Sequence, residues 1–351
     1  MTTQTKQRYY YLDYLRILAT LAVIFNHVTT TRWSDIPIET FDWKVLNFYN
    51  GFTRFPIGLF VMITGCTFGD PKKNITLKKL YTKSIFHMVT TFIFWSLFLV
   101  LLYPVLSSLL FGTAVDWENM VTNLVLGPYH MWFIYMIIGI YMIVPFLRKI
   151  TEDEALSKYY IVLGFLFAIV IPGIQDVLGE SLLDGVLFKM AVSLPLGYSV
   201  FFVLGYYLHS HDIKGKSEAL IYTLGVVSVF LTLSTSYLVT YQINEAYGYY
   251  GNFSIFLFFT NIALFVFAKN HLSRIKLSDK ASKLLVSVSN NSFGVYLIHY
   301  FVFTILMRFG FSPTMIHPII GVPLCAFAIY GVGYLVSLFL HRIPVLKNTI
   351  V

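Results

Sequence analysis

The chain has 351 residues, of which 57% are hydrophobic, 18% aromatic and only 12% charged, with a mean hydropathy of +0.71. Soluble domains carry about twice that charged share, so a soluble globular protein is excluded. The net charge of +8 does not mark a nucleic-acid partner, because the basic residues are distributed as membrane topology would distribute them.

Runs long enough to cross a hydrocarbon core of about 30 Å lie near residues 11–31, 45–68, 84–110, 128–147, 159–175, 187–208, 219–239, 251–269, 285–308 and 316–340. They predict an all-α integral membrane protein, a ten-transmembrane-helix bundle forming a single membrane domain over 1–351. The first run contains His27 and lacks a small-x-small exit, so it is expected to be a retained helix rather than a cleaved leader. Pro56 and Gly58 interrupt the second run, and Pro195 and Gly197 the sixth; both are expected to kink or break where the backbone lines a cavity. Of the 25 Lys and Arg residues, 19 fall in the N-terminus, the even-numbered connections and the C-terminus. The positive-inside rule then places both termini in the cytoplasm.

The first span, YLDYLRILATLAVIFNHV, holds three ionisable groups: Asp13, Arg16 and His27. A charge at mid-bilayer costs about 2.5–3.5 kcal/mol on insertion scales, so such groups are rarely ornamental. Arg16 and His27 are eleven residues apart, about three helical turns. They therefore project from nearly the same face, ~16 Å apart along the axis. Asp13, three positions before Arg16, is placed to pair with it. His27 has the chemistry of a general base near neutral pH; the alternative is a core histidine hydrogen-bonded across helices. Arg16 can grip an anion from the cytoplasmic side or snorkel to the interface beside Asp13.

Further along, Arg54 precedes Pro56 in the outer half of the second span, where it can line a cavity beside unwound backbone or serve as an interfacial anchor. His130 and Trp132 begin the fourth span and Tyr135 follows one turn inward. These suit a sugar-stacking surface or an aromatic belt. His299 lies well inside the ninth span, as a ligand or as a helix–helix hydrogen bond. His209 and His211 lack a third and fourth ligand, so no metal site is expected. Cys66 and Cys325 sit in apolar segments and are expected to be packing residues.

An Arg, ten residues and a His in the first span resembles the hallmark of the integral-membrane acyltransferase-3 family, in its surface-polysaccharide O-acetyltransferase branch. The resemblance extends through FDWKVLNFYNGFTRFPIGLFVMITG (Phe41 to Gly65), HMWFIYMIIGIYMIVPFLRK (His130 to Lys149), FFVLGYYL (Phe201 to Leu208) and NSFGVYLIH (Asn291 to His299). It implies an O-acyltransferase of the plasma membrane that moves an acyl group, usually acetyl, from cytosolic acyl-coenzyme A to a hydroxyl of a cell-surface glycan or lipid-linked precursor. It implies acetyl-CoA as a donor substrate and no permanently bound cofactor. Catalysis would rest with His27, Arg16 and Asp13. Where many members carry Arg-x-x-Arg before the third span, this chain reads KKLYTKSIFH (Lys78 to His87). The positions that would face the donor there, with Arg16, are Lys79, Lys83 and His87; Arg54, His130, Trp132, Tyr135 and His299 would face the acceptor. Some relatives append a secreted hydrolase-like domain. Because the chain stops at Val351, transfer is expected to finish within the membrane domain or pass to a separate protein. The competing class is a small-solute, serine-like permease on the same membrane fold, which intramembrane charges and broken helices would also suit; a membrane scaffold without catalysis is a third.

Overall fold

The computed structural model describes residues 8–31, 33–173, 189, 197–248, 251–343 and 346, and no strand occurs among them. The helices are α1 (Tyr10–Thr30), α2 (Phe41–Phe52), α3 (Pro56–Phe68), α4 (Leu77–Leu109), the short α5 (Met120–Leu126), α6 (Trp132–Glu152) and α7 (Glu154–Gly173). After these come α8 (Ser199–Ser210), α9 (Lys216–Ile243), α10 (Ile255–Asn270), α11 (Asp279–Arg308) and α12 (Pro318–Leu340). Eight helical stretches among the described residues are long and apolar enough to cross a membrane. The predicted sixth and ninth spans are outside that set. The sixth is represented by α8, and Pro195 and most of its first half lie outside the described residues. The ninth is the 30-residue α11, whose beginning, Asp279 to Asn290, carries Asp279, Lys280, Lys283, three serines and Asn290.

Within hydrocarbon a helix must satisfy its own polar groups. In α1 the hydroxyls of Thr20, Thr29 and Thr30 donate back to the carbonyls of Arg16, Phe25 and Asn26, at 2.9, 2.9 and 2.7 Å. No Gly or Pro interrupts α1, so it holds the groups it carries at continuous helical spacing. The second predicted span is two helices. α2 ends at Phe52, and α3 restarts with Pro56 in its first turn, where the missing N–H costs nothing. The opened backbone between them is filled from α1: the Asn26 amide donates to the Thr53 carbonyl at 2.6 Å, and the Thr53 hydroxyl donates back to Asn26 Oδ1 at 3.3 Å.

α1 touches α2, α3, α10, α11 and α12 and runs through two buried apolar clusters. Its first half, with Leu15 and Ala19, joins Leu59 and Met62 of α3, Phe201 and Phe202 of α8 and Phe265 of α10. Its second half, with Ile24 and Val28, joins Leu297 and Ile298 of α11 and Ile329 of α12. At the α3–α8 crossing the two backbones approach closely. A Cβ on Gly65 would stand 2.0 Å from the Phe202 carbonyl oxygen, and one on Gly205 would stand 2.4 Å from Met62 Cα. At the N-terminal end of α1, the Arg148 guanidinium of α6 closes the loop after α3 by donating to the carbonyls of Phe68, Asp70, Pro71 and Lys73 at 2.5–3.1 Å.

Gly205→Ala must separate two backbones and is expected to destabilise the protein by about 1–3 kcal/mol. Gly139→Ala, whose Cβ would meet nothing within 4 Å, is expected to be neutral or to stabilise by roughly 0.5–1 kcal/mol. Melting midpoints of the two variants in detergent, read by size-exclusion fluorescence, check this pair.

Candidate active site

The first group of polar residues surrounds Asp13. This carboxylate is 2% exposed, and burial of that kind is tolerated only with full pairing. Arg8 grips it bidentately, with Nε to Oδ2 at 2.8 Å and Nη2 to Oδ1 at 2.7 Å. Arg16 Nη1 approaches Oδ1 at 3.3 Å and donates to Ser289 Oγ of α11 at 2.6 Å; that hydroxyl in turn donates to Asp13 Oδ1 at 2.6 Å. One carboxylate thus orients two guanidinium groups and leaves a net positive charge. The Arg16 side chain also lines a cavity of about 320 Å³, with Thr64 and Thr67 of α3, Tyr141 of α6 and Ser292 of α11.

The second group surrounds His27, three turns along the same face of α1. The short turn Tyr129–Met131 just before α6, and α11, bring two more imidazoles to it. The His27 ring centroid lies 5.0 Å from that of His299 and 6.3 Å from that of His130, and those two are 5.1 Å apart. His299 Nδ1 lies 2.5 Å from the Tyr296 carbonyl. Because a carbonyl only accepts, Nδ1 carries the proton and Nε2 presents a lone pair in the neutral ring. His299 Nε2 and the ring nitrogens of His130 are buried with no side-chain hydrogen-bond partner among the described residues, the His130 ring meeting the Leu297 backbone. Buried polar atoms are nearly always fully paired, so under-paired ring nitrogens beside His27 mark a place suited to a polar group.

That place opens into a second cavity, of about 250 Å³. His27, Asn26, Arg54, His130 and Trp132 line it, with Asn252 between α9 and α10. Arg54 Nε donates to Asn50 Oδ1 at 2.6 Å, which holds the guanidinium against the α2–α3 break. At the rim, Trp132 lies 6.1 Å from the Tyr198 ring, and the Asn252 amide donates to the Tyr198 hydroxyl at 3.0 Å. The surface is aromatic with amide edges, a composition suited to polyhydroxylated rings.

The acyltransferase-3 family, described as an acyltransferase domain, matches residues 9–342. The chain belongs to this family. No protein of curated function and no solved structure matches it. The protein is therefore a membrane acyltransferase, and family membership does not favour the permease.

In this acyltransferase the structure brings His27, Arg54, His130, Trp132 and His299 to one locus, and Asp13 and Arg16 to another. Tyr135 is not brought to either: its ring packs 4.6 Å from Phe92, and its hydroxyl donates to the Val125 carbonyl. Lys79 and Lys83 are exposed on α4 and line neither cavity. His87 approaches the Arg16 cavity through Phe293, at 6.2 Å between ring centroids. Sequence reasoning missed Arg8, Asn26, Ser289 and Asn252. Arg8 lies five residues before Asp13, and Asn26 lies beside His27 in a hydrophobic run, so both carried a local signal; Ser289 and Asn252 carried none.

Asp13→Asn leaves Arg8 and Arg16 without a counter-charge. It is expected to cost about 3 kcal/mol, the lower end for a broken buried pair because Arg8 stays partly solvated. Ser289→Ala is expected to cost about 1 kcal/mol, the value of a single hydrogen bond. Unfolding midpoints of both variants in one detergent give the comparison.

Proposed function

We propose that this acyltransferase moves an acyl group, acetyl in the first instance, from cytosolic acyl-coenzyme A to a hydroxyl of a cell-surface glycan or its lipid-linked precursor. It works in the plasma membrane as a bundle of ten spans with both termini cytoplasmic. The single observation that carries this is the placement of Arg16 and His27 on one stripe of α1, each lining its own cavity.

With that orientation the Arg16 cavity belongs to the cytosolic half and the His27 cavity to the outer half. Arg16, held by Asp13, receives the anionic or amide portion of the donor. Lys79, Lys83 and His87 form the basic approach to it. The thioester lies along α1 toward His27. A thioester already has a good leaving group, so the protein's task is to activate the hydroxyl and hold both reactants. His27 takes the proton of the acceptor hydroxyl as that oxygen attacks the thioester carbonyl. Arg54 faces the resulting oxyanion. Collapse of the intermediate breaks the C–S bond, and the departing thiolate takes the proton from the His27 imidazolium. The products are an ester and free coenzyme A. His130, His299, Trp132 and Asn252 hold the acceptor, its hydroxyls meeting the under-paired ring nitrogens and its apolar face meeting the indole.

The test uses purified protein in nanodiscs with radiolabelled acetyl-coenzyme A and a membrane glycan fraction. Wild type is expected to transfer label. His27→Ala is expected to lose at least 100-fold in rate, the scale of a general base, while eluting and melting as wild type does. Arg16→Lys, which keeps the charge but not the planar fork, is expected to raise KM for the donor more than it lowers kcat. Full activity of His27→Ala would remove this mechanism. Saturable solute uptake indifferent to His27, without any acyl transfer, would favour the permease instead.

A further inference from the structure

The cavities of Arg16 and His27 share two lining residues, Phe133 of α6 and Tyr296 of α11. Their rings meet edge to face at 5.8 Å between centroids, so the same pair forms the outer wall of one chamber and the inner wall of the other. We propose that Phe133 and Tyr296 are a partition through which the acyl end of the donor must pass, and that Phe133 is its moving leaf and selects short acyl groups. This rests on the function proposed above.

The two rings are held very differently. Tyr296 is 5% exposed, its hydroxyl donates to the His130 carbonyl, and its ring lies nearly parallel to that of Phe293, 6.3 Å away at 13°. It is pinned at both ends. Phe133 is half-buried and has no polar atom to tether it. It packs against both apolar clusters and leans on Phe60 at 5.5 Å. An aromatic side chain moves about only two torsions, so a swing of Phe133 against a fixed Tyr296 opens a slot at small conformational cost. The slot admits a thin thioester arm and closes behind it.

A wall is needed here because the two chambers face opposite solutions. The Arg16 cavity reaches an exposed residue at Thr67 and the His27 cavity reaches one at Trp132. An open water path joining them would pass protons down the membrane potential and would bring cytosolic water to the base. The width of the slot also bounds the acyl group. Each added methylene must clear the Phe133 ring, while acetyl presents a single methyl.

Two measurements test this, one independent of catalysis. In oriented proteoliposomes, a membrane-impermeant thiol reagent is added to one face at a time. Labelling is read as the increment over the parent chain, whose Cys66 and Cys325 are buried. Thr67→Cys is expected to label from the Arg16 side, and Thr30→Cys, on the His27 cavity, from the opposite side alone. Adding Phe133→Ala is expected to make Thr30→Cys label from both sides, with at least a tenfold gain on the Arg16 side. Equal labelling of Thr30→Cys from both sides with Phe133 present would overturn the partition. So would one-sided labelling that survives both Phe133→Ala and the double change with Tyr296→Ala in monodisperse protein. In the second measurement, Phe133→Ala is expected to raise the butyryl-to-acetyl rate ratio at least tenfold, and an unchanged ratio would overturn the selection. If wild type turns over no acyl thioester, the proposed function and the acyl selection fall together, while the labelling still decides the wall.

Discussion

Burying the Asp13 carboxylate between two guanidinium groups commits the first helix to the centre of the bundle. A carboxylate at 2% exposure cannot face lipid or sit unpaired. The chain must therefore bring Arg8 back from the N-terminus, Arg16 from the next turn and Ser289 from α11. With that end fixed, an unbroken α1 carries its stripe outward at about 1.5 Å per residue, and the position of His27 follows. α3, α10, α11 and α12 all take their places against this one helix. The pairing at one end thus decides where the imidazole stands at the other.

Much of this was legible in the chain, and the reasons differ from element to element. The stripe of Asp13, Arg16 and His27 was legible because helical periodicity is local and ionisable groups in a hydrophobic run are conspicuous. The α2–α3 break was legible because Pro56 cannot continue a helix from the previous turn. The convergence of His130 and His299 on His27 was only half legible. Each stood out within its own span, but no pattern within a helix states which faces of α1, α6 and α11 meet. Tyr135 shows the cost of that gap: it lies three residues from Trp132, yet it turns toward α4 and the Val125 carbonyl. The Arg148 clamp on four loop carbonyls was invisible for the same reason, since backbone acceptors leave no mark in a sequence. Asn26 was passed over beside a histidine, although an amide in hydrocarbon must also find partners, and it found them in the broken backbone of Thr53.

The site treats its two kinds of polar group in opposite ways. Asp13 is saturated, with every partner supplied by the protein, and such a cluster has rigidity as its product. The imidazoles of His130 and His299 are left with open valences inside the membrane, which costs stability that the surrounding packing must supply. A fold has no reason to carry that cost unless something arrives to satisfy it. The hydroxyl-bearing acceptor of the proposed reaction would do so, since each hydroxyl can both donate to a bare ring nitrogen and accept from a protonated one.

Phe133 and Tyr296 explain how such a site can exist across a bilayer at all. The proposed reaction brings a thioester from one solution and a hydroxyl from the other within bonding distance, yet the path that joins them cannot stand open. Mobile loops would leave backbone groups unsatisfied at membrane depth, so closure has to come from side chains on intact helices. Aliphatic side chains would fill the gap, but their branched shapes interlock and resist being parted. A flat ring resting edge-on against a second ring slides past it while keeping most of its packing, and the lone hydroxyl of the pair anchors the ring that must stay still. The polar stripe of α1 can therefore be long, charged and continuous in sequence while the space beside it is divided, and that division allows chemistry between two compartments without connecting them.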